Sequence, residues 1–137
     1  MTQTMTETKV APTTADNLSV AFAGESQANR KYLAWAQKAE QEGLLQIAKL
    51  FRAAAEAETI HALAHFRNAG MVGTTAENLR HAVEGETYEY TEMYPKFRHL
   101  AVEEGHQAAV AEYDEQIEES RVHAEQFRAV LEKAAKR

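Results

Sequence analysis

A chain of 137 residues without a cysteine excludes a disulfide framework, a thiolate-held metal and a thiol nucleophile, so any bound metal must be held by oxygen and imidazole. The length suits a single domain with one substantial core. A formal charge of −6, with Lys and Arg interspersed, provides no basic stripe to neutralise phosphates and argues against nucleic acid as a partner.

Residues 1–14 are rich in Thr, with neither an apolar h-region nor a run long enough to span a bilayer. They are expected to be a mobile tail on a cytoplasmic protein with no membrane partner, the folded domain being residues 15–137. Beyond them, Pro95 and scattered glycines punctuate helix-forming stretches of Ala, Glu, Gln, Lys, Arg and Leu. The first helix is expected from about Asp16 to Gln41, with Leu18, Phe22, Glu25, Asn29, Tyr32 and Ala36 on one seam and Gly43 as the stop. A second seam, Ile47, Phe51, Ala54, Glu58, His61 and His65, ends near Gly70, so these two helices should form an antiparallel hairpin. Thr74 and Glu77 have capping-box spacing ahead of a third helix reaching Gly105, which Pro95 should kink or interrupt. The fourth helix starts near His106 and carries Val110, Tyr113, Ile117, Ser120, His123, Phe127 and Leu131. The fold class expected is all-α, a four-helix bundle built from two duplicated helical hairpins.

The duplication is visible in the letters. Thr-Thr-Ala-Asp-Asn-Leu at 13–18 returns as Thr-Thr-Ala-Glu-Asn-Leu at 74–79, and Gly24-Glu25 as Gly85-Glu86. Further on the offset grows by one residue, placing Gly43 on Gly105, Phe51 on Tyr113 and His61 on His123.

Glu25, Glu58 and Glu86 fall on seams otherwise filled by apolar side chains, where an ionised carboxylate is costly unless a cation meets it. Glu58 and His61 are three residues apart, close to one helical turn, so both side chains leave the same face. A carboxylate di-metal site in a bundle core takes a Glu from each of two helices and a Glu-x-x-His from each of the other two. Glu25, Glu86, Glu58 and His61 supply most of that set, and the repeat adds His123. The residue three before His123 is Ser120 rather than glutamate, so either Glu119 or water must complete the coordination there. Glu89, one turn after Glu86, is a further candidate ligand. The plainer alternatives are a solvated helix face for Glu58 with His61, a partly solvated carboxylate for Glu89, and a packed or spare histidine for His65. His81, His99 and His106 read as surface residues.

The strings Ala-Phe-Ala-Gly-Glu-Ser-Gln-Ala at 21–28 and Gly-Glu-Thr-Tyr-Glu-Tyr-Thr-Glu-Met-Tyr-Pro at 85–95, with Glu58-x-x-His61, closely resemble the rubrerythrin family over about residues 16–127. The resemblance implies a ferritin-like four-helix bundle and a non-haem di-iron peroxidase, reducing hydrogen peroxide to water with electrons from a separate donor such as a rubredoxin-like protein. It implies ligands at Glu25, Glu58, His61, Glu86, Glu89 and His123, with the family's remaining glutamate falling on Ser120. Tyr32 and Tyr94 match tyrosines that orient the ligand carboxylates. Lacking cysteine, the chain resembles a short, erythrin-type member without the rubredoxin domain. The implied cofactor is two iron ions, for which Mn or Zn could substitute. A homodimer is expected, and the short connection from Gly70 to Thr74 would let helices exchange between copies. The competing readings are a ferritin-like metal-binding or iron-handling protein with little or no peroxidase turnover, which Ser120 keeps open, and a structural bundle with a degenerate site.

Overall fold

The computed structural model describes residues 10–135, and all regular structure among them is helical. The expected mobile tail falls mostly outside that range, and α1 already begins at Thr14. The chain divides into two compact units, Met1–Val72 and Gly73–Arg137.

The first unit is a hairpin of α1 (Thr14–Gln41) and α2 (Leu45–Asn68). Thr13 and Asp16 form a complete capping box at the start of α1, each side chain accepting from the other residue's backbone N–H. The helix ends at Gly43, whose φ of +76° favours a residue without Cβ. There the Leu44 N–H reaches back to the Ala39 carbonyl and the Gly43 N–H to that of Glu40, a Schellman closure. Ala48, Ala55 and Ala62, each one heptad apart, are buried on α2, with Ala36 and Ala39 buried on α1. Small side chains at this spacing let two backbones approach along a shallow supercoil.

The second unit contains α3 (Thr75–Tyr88), a π-helical segment (Glu89–Met93), α4 (Tyr94–Glu103) and α5 (Gln107–Ala135). The expected interruption of the third helix by Pro95 is therefore a widened turn just ahead of it. Proline cannot donate to the carbonyl four residues back, and its ring crowds that carbonyl. Widening the preceding turn to i→i+5 bonding, with the Tyr94 N–H donating to the Glu89 carbonyl, accommodates it. Thr91 helps, its hydroxyl donating to the Thr87 carbonyl at 2.6 Å. The sequence offset changes from 61 to 62 residues across this segment: Glu25 pairs with Glu86, but Tyr32 pairs with Tyr94. The π turn is thus the extra residue of the second hairpin, absorbed without breaking the helix.

The repeat is also a structural one. Tyr32, Trp35 and Phe51 form an aromatic cluster in the first hairpin with ring centroids 5.8–6.1 Å apart. Tyr94, Phe97 and Tyr113, each 62 residues on, do the same in the second at 5.7–6.3 Å. The buried apolar residues are all alanines, while large apolar side chains such as Leu50 and Ile60 are 71% and 68% exposed.

Candidate metal centre

In the first hairpin α1 carries Glu25 and α2 carries Glu58 and His61. One ligand atom from each of the three lies within 4.8 Å of the others. Glu25 Oε1 faces His61 Nδ1 at 3.4 Å, and Glu25 Oε2 lies 2.7 Å from His65 Nε2. The sequence leaves His65 open between a spare ligand and a packed side chain; the structure brings it to Glu25. The crossing is fixed by Asn29, one turn from Glu25, whose amide donates to the Ala55 carbonyl at 2.7 Å and to the Thr59 hydroxyl at 2.8 Å. Asn29 was visible as a polar residue on an apolar seam, but Thr59 carried no such signal.

The second hairpin repeats the motif with changes. His123 Nδ1 on α5 faces Glu86 Oε1 on α3 at 3.6 Å, the same ring atom against the repeat-related carboxylate. Where the first hairpin has Glu58, the second has Ser120, which is only 4% exposed, the one buried polar residue among those described. Its hydroxyl donates to Glu89 Oε2 at 3.1 Å. Glu89 opens the π segment. Each hairpin thus contributes two carboxylates, Glu25 with Glu58 and Glu86 with Glu89, and the second obtains both from one helix. Glu119 is exposed, next in sequence to buried Ser120.

Two oxygens show what is missing from these donor sets. Glu86 Oε2 is enclosed and lacks a hydrogen-bond partner, and Glu25 Oε2, equally enclosed, has only the close but poorly aligned contact with His65 Nε2. An unsatisfied buried acceptor costs about 1–3 kcal/mol, and more when charged. A cation removes that cost, and a set of carboxylates and imidazoles without thiolate suits iron, manganese or zinc. Both histidines also present Nδ1 to a carboxylate oxygen at more than 3.3 Å, long for a hydrogen bond but fitting for two donors around one ion. The residues present therefore fit a bound metal.

The tyrosines differ in setting. Tyr32 lies within its aromatic cluster, stacked on Phe51. Tyr94 stacks on Tyr113, and its phenol is held above the usual range, first by loss of water and then by the negative charges of Glu89 and Glu86. Of the two, Tyr94 is the one whose ionisation reports on the carboxylates.

Among the described residues no helix is long and apolar enough to cross a membrane. The rubrerythrin family profile matches residues 16–131. A rubrerythrin of Porphyromonas gingivalis is 38% identical over 131 residues, covering 86% of this chain and 66% of that protein. Rubrerythrin-1 of Clostridium acetobutylicum is 33% identical over 135 residues, covering 86% and 69%. The structure of fully reduced, all-ferrous nigerythrin aligns at 32% identity with a TM-score of 0.46, covering 96% of this chain and 72% of that one. The chain thus spans about two thirds of the length of the curated relatives it matches. With the family profile over residues 16–131 and the identities to the two curated rubrerythrins in agreement, the chain belongs to the rubrerythrin family of ferritin-like di-iron proteins.

Proposed function

We propose that the protein is a non-haem di-iron peroxidase that reduces hydrogen peroxide to water with electrons from a separate rubredoxin-like redox protein. The observation that carries this reading is the grouping of Glu25, Glu58 and His61, whose ligand atoms lie within 4.8 Å of one another, with the repeat-related Glu86 facing His123 in the second hairpin. Glu25 with Glu58 in the first hairpin, and Glu86 with Glu89 in the second, would each offer two negative charges to a divalent ion. Ferrous ions held by these residues would supply the two electrons that cleavage of the O–O bond requires. Two protons must also arrive, since H2O2 with two electrons and two protons gives two waters. Tyr94 suits orienting the carboxylates rather than delivering protons: its surroundings keep the phenol protonated, so its hydroxyl would stay a hydrogen-bond donor toward Glu86 or Glu89. Glu58, Glu25 and their partners hold the ions, and Asn29 fixes the helix crossing that brings Glu25 and Glu58 together.

The test is anaerobic loading with Fe2+ followed by peroxide in stopped flow and reduction by a rubredoxin. Oxidation of the iron by one equivalent of peroxide per pair, followed by turnover, is expected. Iron that binds but turns over no peroxide refutes the reading. The alternative, a metal-binding or iron-handling protein, draws support from Ser120, whose hydrogen bond engages Glu89 Oε2 where the family has another carboxylate. Ferrous uptake and storage without peroxide would favour it. A cytoplasmic location and a homodimer belong to the same proposal, the latter supported by exposed Leu50 and Ile60 and tested by sedimentation equilibrium.

A further inference from the structure

Within the first hairpin, Glu25 is approached from both sides. Its Oε1 faces His61 Nδ1 at 3.4 Å, while its Oε2 lies 2.7 Å from His65 Nε2. At 2.7 Å that nitrogen and that oxygen are within hydrogen-bonding reach of each other. As the ring stands, its N–H is not aimed well enough to satisfy Oε2. The second torsion of histidine is soft, and a modest ring rotation brings the N–H into line. His65 itself falls outside the group of atoms close enough to share one ion with Glu25, Glu58 and His61. The second hairpin offers the comparison. The residue 62 positions after His65 is Phe127, and Glu86 Oε2 is likewise enclosed but has no imidazole against it.

We propose that His65 is a positioning residue for Glu25: its Nε2–H engages Oε2, so that Glu25 offers only Oε1 to the ion held with Glu58 and His61. Glu86, facing no such nitrogen, keeps both oxygens available. The two ions therefore sit in unequal surroundings, with a tethered carboxylate in the first hairpin and a carboxylate free to change its binding mode in the second. This inference rests on the metal reading of the donor set and not on peroxide chemistry.

The test uses Co2+ alone, titrated into the metal-free full chain and followed by its visible d–d bands. His65→Leu removes the nitrogen, and His65→Gln keeps an N–H donor at similar reach. The parent is expected to bind two ions with distinguishable spectra. In His65→Leu the affinity of one ion should fall by roughly 10–100-fold, the usual effect of removing a partner that orients a ligand. The bands of that ion should also weaken as Glu25 turns bidentate and the coordination number rises. His65→Gln should restore both affinity and spectrum. A Leu variant with the parent's affinity and spectrum overturns the proposal. So does a Gln variant as impaired as Leu, which would make His65 a direct ligand. A parent chain that binds no Co2+ overturns the metal reading as well, and circular dichroism of each variant separates these outcomes from unfolding.

Discussion

Replacing Ser120 with glutamate gives His123 the same Glu-x-x-His spacing that Glu58 and His61 have, and the structure predicts opposite effects with and without metal. Ser120 is buried, and its hydroxyl donates to Glu89 Oε2. Ser120→Glu removes that donor and sets a second carboxylate within about 4 Å of Glu89, where two like charges repel by about 4 kcal/mol at an effective dielectric of 20. Sharing one proton relieves part of this, leaving a loss of roughly 2–4 kcal/mol, or a melting temperature lower by roughly 10 °C. The sign with pH follows. One carboxyl of the new pair has its folded pKa raised above the unfolded value, so the deficit is small below the unfolded pKa and grows as pH rises through the folded one. Mn2+, which favours oxygen donors and does not turn over, should reverse the deficit, because a ligand at 100 times its Kd stabilises by about 2.7 kcal/mol. Thermal unfolding by circular dichroism at pH 5 and pH 7.5, with chelator and then with Mn2+, measures all of this. If metal-free Ser120→Glu melts with the parent at pH 7.5, or if Mn2+ raises both proteins equally, position 120 does not face the donor set and the reasoning fails.

Three further outcomes follow from single contacts. Tyr94 should titrate above the ordinary tyrosine value in the metal-free protein, read as phenolate absorbance. Because its folded pKa is raised, its contribution to stability is complete below pH 10 and is lost as pH rises through the folded value, a loss that Tyr94→Phe should abolish. Asn29→Ala removes two hydrogen bonds between α1 and α2 and should cost about 1–3 kcal/mol in urea unfolding; a smaller loss with intact metal affinity would show that the crossing is held elsewhere. Thr74→Ala removes the acceptor for the Glu77 N–H at the start of α3 and should cost about 1 kcal/mol by the same measurement.

Much of the local structure was legible because it depends on local rules. Thr74, Gly43, Gly70 and Gly105 announced helix ends, since a cap needs a side-chain acceptor and a left-handed end needs a residue without Cβ. Glu58 and His61 announced a shared face by spacing alone. What required coordinates was register between helices. His65 lies one turn beyond His61, so the same face was predictable, but contact with Glu25 depends on where α1 crosses α2. The choice between Glu119 and water beside His123 could not be made from spacing, because either residue 119 or 120 can follow the seam on a helix whose phase is known only to within a residue. In the structure it is Ser120 that is buried and Glu119 that is exposed.

The π segment shows why the second hairpin can depart from the first without losing its donors. An inserted residue in an α-helix would rotate everything beyond it by about 100°, turning Tyr94 and the α4 aromatics off their face. Confined to one widened turn, the insertion leaves Tyr94 stacked and Phe97 tilted on Tyr113 as Tyr32 and Trp35 are on Phe51, while Tyr94 meets Phe97 edge-on where Tyr32 and Trp35 are tilted. The same turn begins at Glu89, which lies one turn after Glu86 and reaches Ser120 on α5. The carboxylate lacking from α5 and the carboxylate gained on α3 are therefore linked: Ser120 is small enough to leave room for Glu89 and polar enough to hydrogen-bond it. Restoring glutamate at 120 while replacing Glu89 with alanine would return the second hairpin to the plan of the first. Its two carboxylates would then come from different helices, and the double variant should recover the Mn2+ affinity that Glu89→Ala alone loses. If the double variant binds no better than Glu89→Ala, the two positions are not alternatives for one donor and the linkage is wrong.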